Sequence, residues 1–233
     1  RDYYASRGLG DVYKRQVIPE GIERIDNYAF SSCPYLKSVT ISEGVKEIGW
    51  AAFEKATLET VNIPSSVKRI ETYAFNECRE LKNVTILEGV NEIGYSAFAA
   101  TALETVYIPS SVKSIEEYAF CECRELKDVT ISEGVEHIGM LAFNNCQNIG
   151  DVQIPASVKK IDAYAFNLCW YWNEGTIKFI RKTDFEYDNS MLWNDNRVSI
   201  LIPIDAKENY TNYDGTIIFE HVSNCLLYTS PSP

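Results

Sequence analysis

Apolar residues return along this chain in one repeated frame. Leu36, Val39, Ile41, Val45, Ile48 and Phe53 are followed by Leu58, Val61, Ile63, Val67, Ile70 and Phe75, and then by Leu81, Val84, Ile86, Val90, Ile93 and Phe98. The Phe series runs Phe30, Phe53, Phe75, Phe98, Phe120, Phe143 and Phe166, in steps of 22 or 23 residues. A fixed period in the twenties marks a solenoid built from coils that cannot fold singly. The ordering entropy of one coil is offset only when neighbours seal both of its apolar faces, so stability resides in the interfaces between coils.

Each repeat has its own internal pattern. In Leu36-Lys-Ser-Val39-Thr-Ile41, Val39 and Ile41 alternate with polar residues, which predicts a half-buried strand. The turn that follows alternates in composition: Ser42-Glu43-Gly44, Pro64-Ser65-Ser66, Leu87-Glu88-Gly89, Pro109-Ser110-Ser111. Gly supplies unusual backbone angles in one type and Pro fixes φ in the other, so the larger unit is two coils of about 45 residues. After Val45 and Ile48, a segment such as Gly49-Trp-Ala-Ala-Phe53 is too short for a full α-helix and predicts a helical turn or 3-10 stretch.

The two ends can be encoded by the two strands of one stretch of DNA. Ser6–Gln16 can be encoded by a stretch whose reverse complement, read one base in, translates to Cys225–Pro233. That DNA resembles the transposon adapter used to build sequencing libraries. Residues 1–16 and 225–233 are therefore expected to be adapter-derived rather than native, and are set aside as processing segments are. The basic residues Arg7, Lys14 and Arg15 then carry no functional meaning.

Charge narrows the function. The whole chain has a net charge of −11, and without residues 1–16 there remain 18 basic against 31 acidic residues, about −13. No basic stripe is available to replace counterions on phosphates, so nucleic acid is not an expected partner. No apolar run approaches the roughly 20 residues that cross a bilayer, so no membrane insertion is expected of this stretch.

Cys33, Cys78, Cys123, Cys146 and Cys169 each lie three residues after a repeat Phe, and Ala56 and Thr101 fill the same slot in the other two repeats. A slot shared by Cys, Ala and Thr selects for small size, which predicts a buried column of small residues. No CxxC or His accompanies the cysteines, so no metal site is expected. Tyr28, Tyr73, Tyr118 and Tyr164 stand two residues before alternate Phe residues and predict a stacked Tyr column. Trp170, Trp172 and Trp193 are expected to bury the end of the solenoid, with carbohydrate stacking as the lesser alternative.

The pattern L-x-x-V-x-I-P-x-x-V-x-x-I-x-x-x-A-F-x-x-C, present from Leu58 to Cys78 and from Leu103 to Cys123, resembles the BspA-like (Treponema-type) leucine-rich repeats. Seven in-register copies span about Val17 to Cys169, with Ile149 replacing the opening Leu in one. The fold class expected is an α/β repeat solenoid. It is a leucine-rich-repeat right-handed coil with one parallel β-sheet face and short helical or 3-10 turns opposite. Residues 17–169 form the repeats. Residues 170–224 look like degenerate closing units, with strands expected at Ile177-Lys-Phe179, Ser199–Pro203 and Thr216–Phe219.

The resemblance implies a protein that is secreted or displayed at a cell surface and that recognises or adheres to other proteins, without a cofactor. Independently, the repeated strand face offers a column between the apolar Val and Ile positions: Thr40, Asn62, Thr85, Tyr107, Thr130 and Gln153. A second column precedes it: Ser38, Thr60, Asn83, Thr105, Asp128 and Asp151. Such faces suit extended protein contacts, and Tyr107, the one aromatic in its column, is the expected anchor. Catalysis has little support. The only histidines are His137, in a slot expected to be exposed, and His221, and no nucleophile motif or phosphate loop accompanies them. Two other roles fit the same repeats: a targeting or spacer module of an enzyme whose catalytic domain lies beyond this stretch, or an intracellular scaffold.

Overall fold

The computed structural model describes residues 14–169, 175–180, 186–187, 198–203 and 217–220, the last three segments as backbone strands. Several expectations therefore concern residues outside those described: Trp170, Tyr171, Trp172 and Trp193 at the end of the solenoid, His221, and Cys225–Pro233.

Each coil opens with a longer strand and continues into a two-residue strand. The first coils contribute β1 (Arg15–Ile18), β2 (Arg24–Ile25), β3 (Ser38–Ile41), β4 (Glu47–Ile48), β5 (Thr60–Ile63) and β6 (Arg69–Ile70). The next three contribute β7 (Asn83–Ile86), β8 (Glu92–Ile93), β9 (Thr105–Ile108), β10 (Ser114–Ile115), β11 (Asp128–Ile131) and β12 (His137–Ile138). Then come β13 (Val152–Ile154), β14 (Lys160–Ile161), β15 (Gly175–Phe179), β16 (Glu186–Tyr187), β17 (Val198–Pro203) and β18 (Ile217–Glu220). All pairing is parallel, between strands of successive coils. The result is a parallel β-solenoid.

Where one sheet face was expected, two ladders are present. The longer strands form a six-stranded sheet, β1-β3-β5-β7-β9-β11, and a four-stranded one, β13-β15-β17-β18. The short strands form a second, eight-stranded ladder from β2 to β16. Its inner positions are the Ile residues, such as Ile48 and Ile70, which the strand pattern had already marked as apolar.

The segment around each Phe is not helical, contrary to the expected helical or 3-10 turns. Among the described residues every non-Gly residue with positive φ lies two positions before or two after a repeat Phe, such as Tyr73 (φ 59°) and Glu77 (φ 55°) beside Phe75. A left-handed residue every fourth position cannot belong to a right-handed helix. These turns alternate their backbone donors. The N–H groups of Tyr73, Phe75 and Glu77 reach forward to the carbonyls of Tyr95, Ala97 and Ala99 in the next coil, at 2.7–2.9 Å. Those of Ala74, Asn76 and Cys78 turn back three residues within their own coil. Left-handed backbone costs roughly 1–2 kcal/mol per residue and is sustained by this third ladder of inter-coil bonds.

Inside, the Phe rings stack in one column. Successive centroids from Phe30 to Phe166 are 5.1–5.4 Å apart with planes within 5° of parallel, and Phe53 to Phe166 are fully buried.

Coil pairs explain the alternating turns. Where a Glu-Gly coil follows a Pro coil the strand ladder closes with a backbone bond, as in Leu87 N–H to Ile63 O and Ser132 N–H to Ile108 O, both 3.1 Å. In the Pro coils the same place is held by Pro64, Pro109 and Pro155, which have no N–H to give. The ladder weakens there: three residue pairs join β3 to β5, one joins β7 to β9, and β11 and β13 belong to different sheets. A carboxylate takes over. Glu88 accepts the N–H groups of Ser110 (3.1 Å) and Ser111 (2.9 Å), and Glu43 and Glu133 clamp Ser65-Ser66 and Ala156-Ser157 in the same way.

Gln16, at an expected adapter position, stands opposite Val39, and Val17, 65% exposed, stands opposite polar Thr40. The apolar frame is broken at Gln16 and resumes at Ile18.

Two outcomes test this account. Gly89 has φ +132°, and a Cβ there would lie 2.0 Å from the Ser65 carbonyl, whereas Gly44 (φ +107°) has open space. Both Ala substitutions incur the left-handed cost, about 1 kcal/mol. Gly89→Ala adds backbone displacement and should cost about 2 kcal/mol more than Gly44→Ala by urea denaturation. Equal losses would disprove the steric role.

The second outcome concerns acid. The N–H of Ser110 and then the donors of Ser111 hold the Glu88 carboxyl below its ordinary pKa. For Glu43, desolvation pushes upward but the donors of Ser66 and Ser65 outweigh it. A lowered folded pKa means stability present above the unfolded value, about 4.3, and lost as pH falls below it. Thermal melts should therefore show a fall in Tm between pH 5 and pH 3 that is shallower in Glu43→Gln/Glu88→Gln. An unchanged slope would refute the clamp.

Candidate interaction face

The outer side of the longer strands is built by simple alternation. In β5, β9 and β11 the residues run exposed, buried, exposed, buried. Val and Ile fill the core, and the residues between them stand in solvent. All six residues of the predicted column, Thr40, Asn62, Thr85, Tyr107, Thr130 and Gln153, are exposed. Register brings Thr40 beside Asn62, Asn62 beside Thr85, and Tyr107 beside Thr130. Thr85 and Gln153 are separated from Tyr107 and Thr130 by the two loosened joints after β7 and β11. The structure thus presents the column as three short groups. Tyr107 is 54% exposed at the centre of the face.

The second column runs alongside, with Thr60 beside Asn83 and Thr105 beside Asp128. At the last joint the face opens into a cleft of about 400 Å³, lined by Asp128, Thr130, Asp151, Gln153, Pro155 and Ile180 among others.

Three other groups were candidates for chemistry. His137, expected to be exposed, is half-buried and bonded on both sides. Its Nε2 lies 2.8 Å from Asp162 Oδ2, and its Nδ1 lies 3.3 Å from Ser114 Oγ. Residue types and distances resemble a nucleophilic Ser-His-Asp set, but the proton inventory does not. The Ser114 hydroxyl donates to the Glu116 carboxylate, so it offers no proton to the imidazole. Lys160 holds the other oxygen of Asp162 at 2.9 Å. Burial pushes the Asp162 carboxyl up, yet Lys160 and His137 outweigh it and hold the group below its usual pKa. The cluster is an electrostatic tie across β10, β12 and β14. Sequence spacing could not show it, because the three residues sit in successive coils.

The cysteine column is buried from Cys78 to Cys169, as its small-residue slot predicts, with Cys33 in the first coil half-buried, but size is only part of the reason. The thiols of Cys78, Cys123, Cys146 and Cys169 donate to the carbonyls of Phe53, Phe98, Phe120 and Phe143 one coil back, at 2.9–3.2 Å. Thr101 uses its hydroxyl on Phe98 O. Burial pushes the Cys78 thiol up to about 12 and those of Cys123 and Cys146 well above the ordinary value. Such thiols are inert. Among the described residues, no group of three His, Cys, Asp or Glu is arranged to hold a metal ion.

The Tyr column differs from expectation as well. From Tyr28 to Tyr118 the alternate-coil tyrosines are bridged by Trp50 and Tyr95, one position earlier in the intervening coils. The contacts run Tyr28–Trp50 (4.6 Å), Trp50–Tyr73 (6.1 Å), Tyr73–Tyr95 (5.4 Å) and Tyr95–Tyr118 (5.4 Å).

Residues 13–123 and 93–191 match the family model for the BspA type leucine rich repeat region, in six copies. Among solved structures, a leucine-rich repeat protein of T. pallidum aligns at 20% identity with a TM-score of 0.54, covering 87% of this chain and 85% of that one. A leucine-rich repeat protein from Bacteroides ovatus aligns at 20% identity and TM-score 0.44, over 90% of this chain and 66% of that one. A leucine rich cell surface protein from Faecalibacterium prausnitzii aligns at 21% identity and TM-score 0.43, over 88% and 87%. No curated protein matches the chain.

The buried thiols yield a direct prediction. At pH 8 a thiol with a pKa of about 12 carries on the order of a thousandfold less thiolate than a free one. Cys78, Cys123 and Cys146 should therefore escape alkylation in the folded protein and label fully in urea, as read by peptide mass spectrometry. Labelling of these three in the native state at the rate of a free thiol would contradict the burial described.

Proposed function

The chain belongs to the BspA type leucine-rich repeat family, and we propose that it is the recognition part of an adhesion protein secreted or displayed at the cell surface. Its ligand docks on the outer side of the longer strands. Leucine-rich repeats of this kind serve as protein-interaction modules, and the present chain is read as a non-enzymatic one.

The observation that carries the proposal is the exposed row Thr40, Asn62, Thr85, Tyr107, Thr130 and Gln153, anchored to a backbone whose every coil is bonded to the next. Hydroxyls and amides on such a scaffold lose little freedom on binding, so weak contacts sum efficiently. Tyr107 supplies amphipathic contact area of the kind that dominates interface energetics. The ligand is therefore a protein segment that lies along or across several coils. No helix among the described residues is long and apolar enough to cross a membrane, and the proposal places no part of this face within a bilayer.

The test is Thr85→Lys together with Tyr107→Asp, measured by biolayer interferometry against ligands recovered in a screen of extracellular proteins. Affinity should fall by about thirtyfold or more, the loss of one interface hot spot. Unchanged affinity with an intact far-ultraviolet circular dichroism spectrum would exclude this face. Surface display is tested separately: brief protease treatment of intact source cells should remove the repeat epitope, and protection until lysis would exclude it.

A further inference from the structure

The joint between β11 and β13 is the one place among the described longer strands where ladder pairing between successive coils is absent altogether. Two causes coincide there. Pro155 has no N–H for the Ile131 carbonyl, as Pro64 and Pro109 have none at the two earlier joints. At those joints the flanking residues are neutral, Ser38 beside Thr60 and Asn83 beside Thr105. Here the same column carries Asp128, in β11, and Asp151, immediately before β13, and like charges at neighbouring positions of successive coils repel. The strands part, and the cleft of about 400 Å³ is the result.

Its construction is specific. The apolar lining comes from Val129, Ile131, Pro155 and Ile180, the last 39% exposed. Of the three carboxylates in the lining, Glu133 is held by the N–H groups of Ala156 and Ser157. Asp128 and Asp151 are exposed and form no ion pair with any described Lys, Arg or His, although Lys–Glu pairs are common on the rest of the surface. Thr130 and Gln153 add a hydroxyl and an amide. Tyr107 stands one strand away, directly beside Thr130. A negative mouth, an apolar lining and an adjacent aromatic ring match a cation carried on an aliphatic stem, which buries its methylenes while its head stays at the rim.

We propose that this cleft receives a Lys or Arg side chain from the protein segment that docks on the strand face. The stem lies against Ile131 and Ile180, the charged head sits between Asp128 and Asp151, and the Tyr107 ring flanks it. The neutral rows from Thr40 to Thr105 hold the rest of the segment, so the cleft sets which part of a ligand lies at which coil. This rests on the reading of the strand face as the docking surface.

The experiment titrates the isotope-labelled full chain with tetralysine, and with tetralysine acetylated on its side chains, following amide shifts by NMR. Tetralysine should shift Thr130, Gly150, Asp151 and Gln153 in a saturable way, and the acetylated peptide should not. Asp128→Asn/Asp151→Asn, which relieves repulsion and should leave the coils stacked, should weaken binding about tenfold. Shifts spread evenly over the acidic surface, or equal binding by the double variant, would overturn the cleft. The two readings fail separately. A strand-face ligand that loses affinity with Thr85→Lys/Tyr107→Asp but not with Asp128→Asn/Asp151→Asn refutes the cleft alone. Tetralysine bound at the cleft, with a ligand indifferent to Thr85→Lys/Tyr107→Asp, supports the carboxylate pair but refutes both the strand face and the part given to Tyr107.

Discussion

Everything in this solenoid depends on one repeated distance, the rise from coil to coil. Parallel strands require about 4.8 Å between backbones, and the Phe rings sit 5.1–5.4 Å apart with their planes parallel. The strand ladder, the short-strand ladder and the forward hydrogen bonds of the Phe turns all impose the same rise. A coil that satisfies one satisfies the others. This is why repeats of 22 and 23 residues coexist: the interval from the opening Leu to the next Phe is constant, 17 residues from Leu36 to Phe53 and from Leu58 to Phe75. The variable residue falls after the Phe, six residues from Phe30 to Leu36 but five from Phe53 to Leu58. Length varies only where no ladder is being built.

Within that constraint, the coils work in pairs, and the pairing shapes the outer face. Pro ends one strand of each pair and forfeits a ladder bond. A Glu from the preceding coil replaces it, with two backbone N–H groups received by one carboxylate. The exchange moves cohesion from the strand to the turn, so the strand face is stitched tightly at one joint and loosely at the next. At the loose joint whose column carries Asp128 and Asp151, the face opens into a cleft. A rigid scaffold thereby acquires a local feature without any loop insertion.

Side chains that look chemically suggestive turn out to serve the stacking. The thiols cap Phe carbonyls, His137 ties three coils, and the aromatic ridge packs ring edge to ring face from Tyr28 to Tyr95. The exposed strand rows are different, because their side chains have little work to do within the fold. That contrast is the physical ground for placing recognition there.

The sequence by itself determined the solenoid, the strand positions, the burial of the Phe, Val and Ile frame and the exposure of the column from Thr40 to Gln153. These follow from periodicity, which records for each residue whether it faces the core or water. Only the tertiary structure decided matters that lie between coils. It showed left-handed turns where short helical ones were expected, since neither Tyr73 nor Glu77 reveals in sequence that its N–H will leave its own coil. It showed a second ladder, the bridging of tyrosines by Trp50 and Tyr95, the bonds of the thiols, and the cluster around His137. It also showed Pro155, Asp128 and Asp151 lining one cleft. These are contacts between residues about 22 apart in sequence, and hydrophobic patterning is silent about which polar atom of one coil will meet which atom of the next.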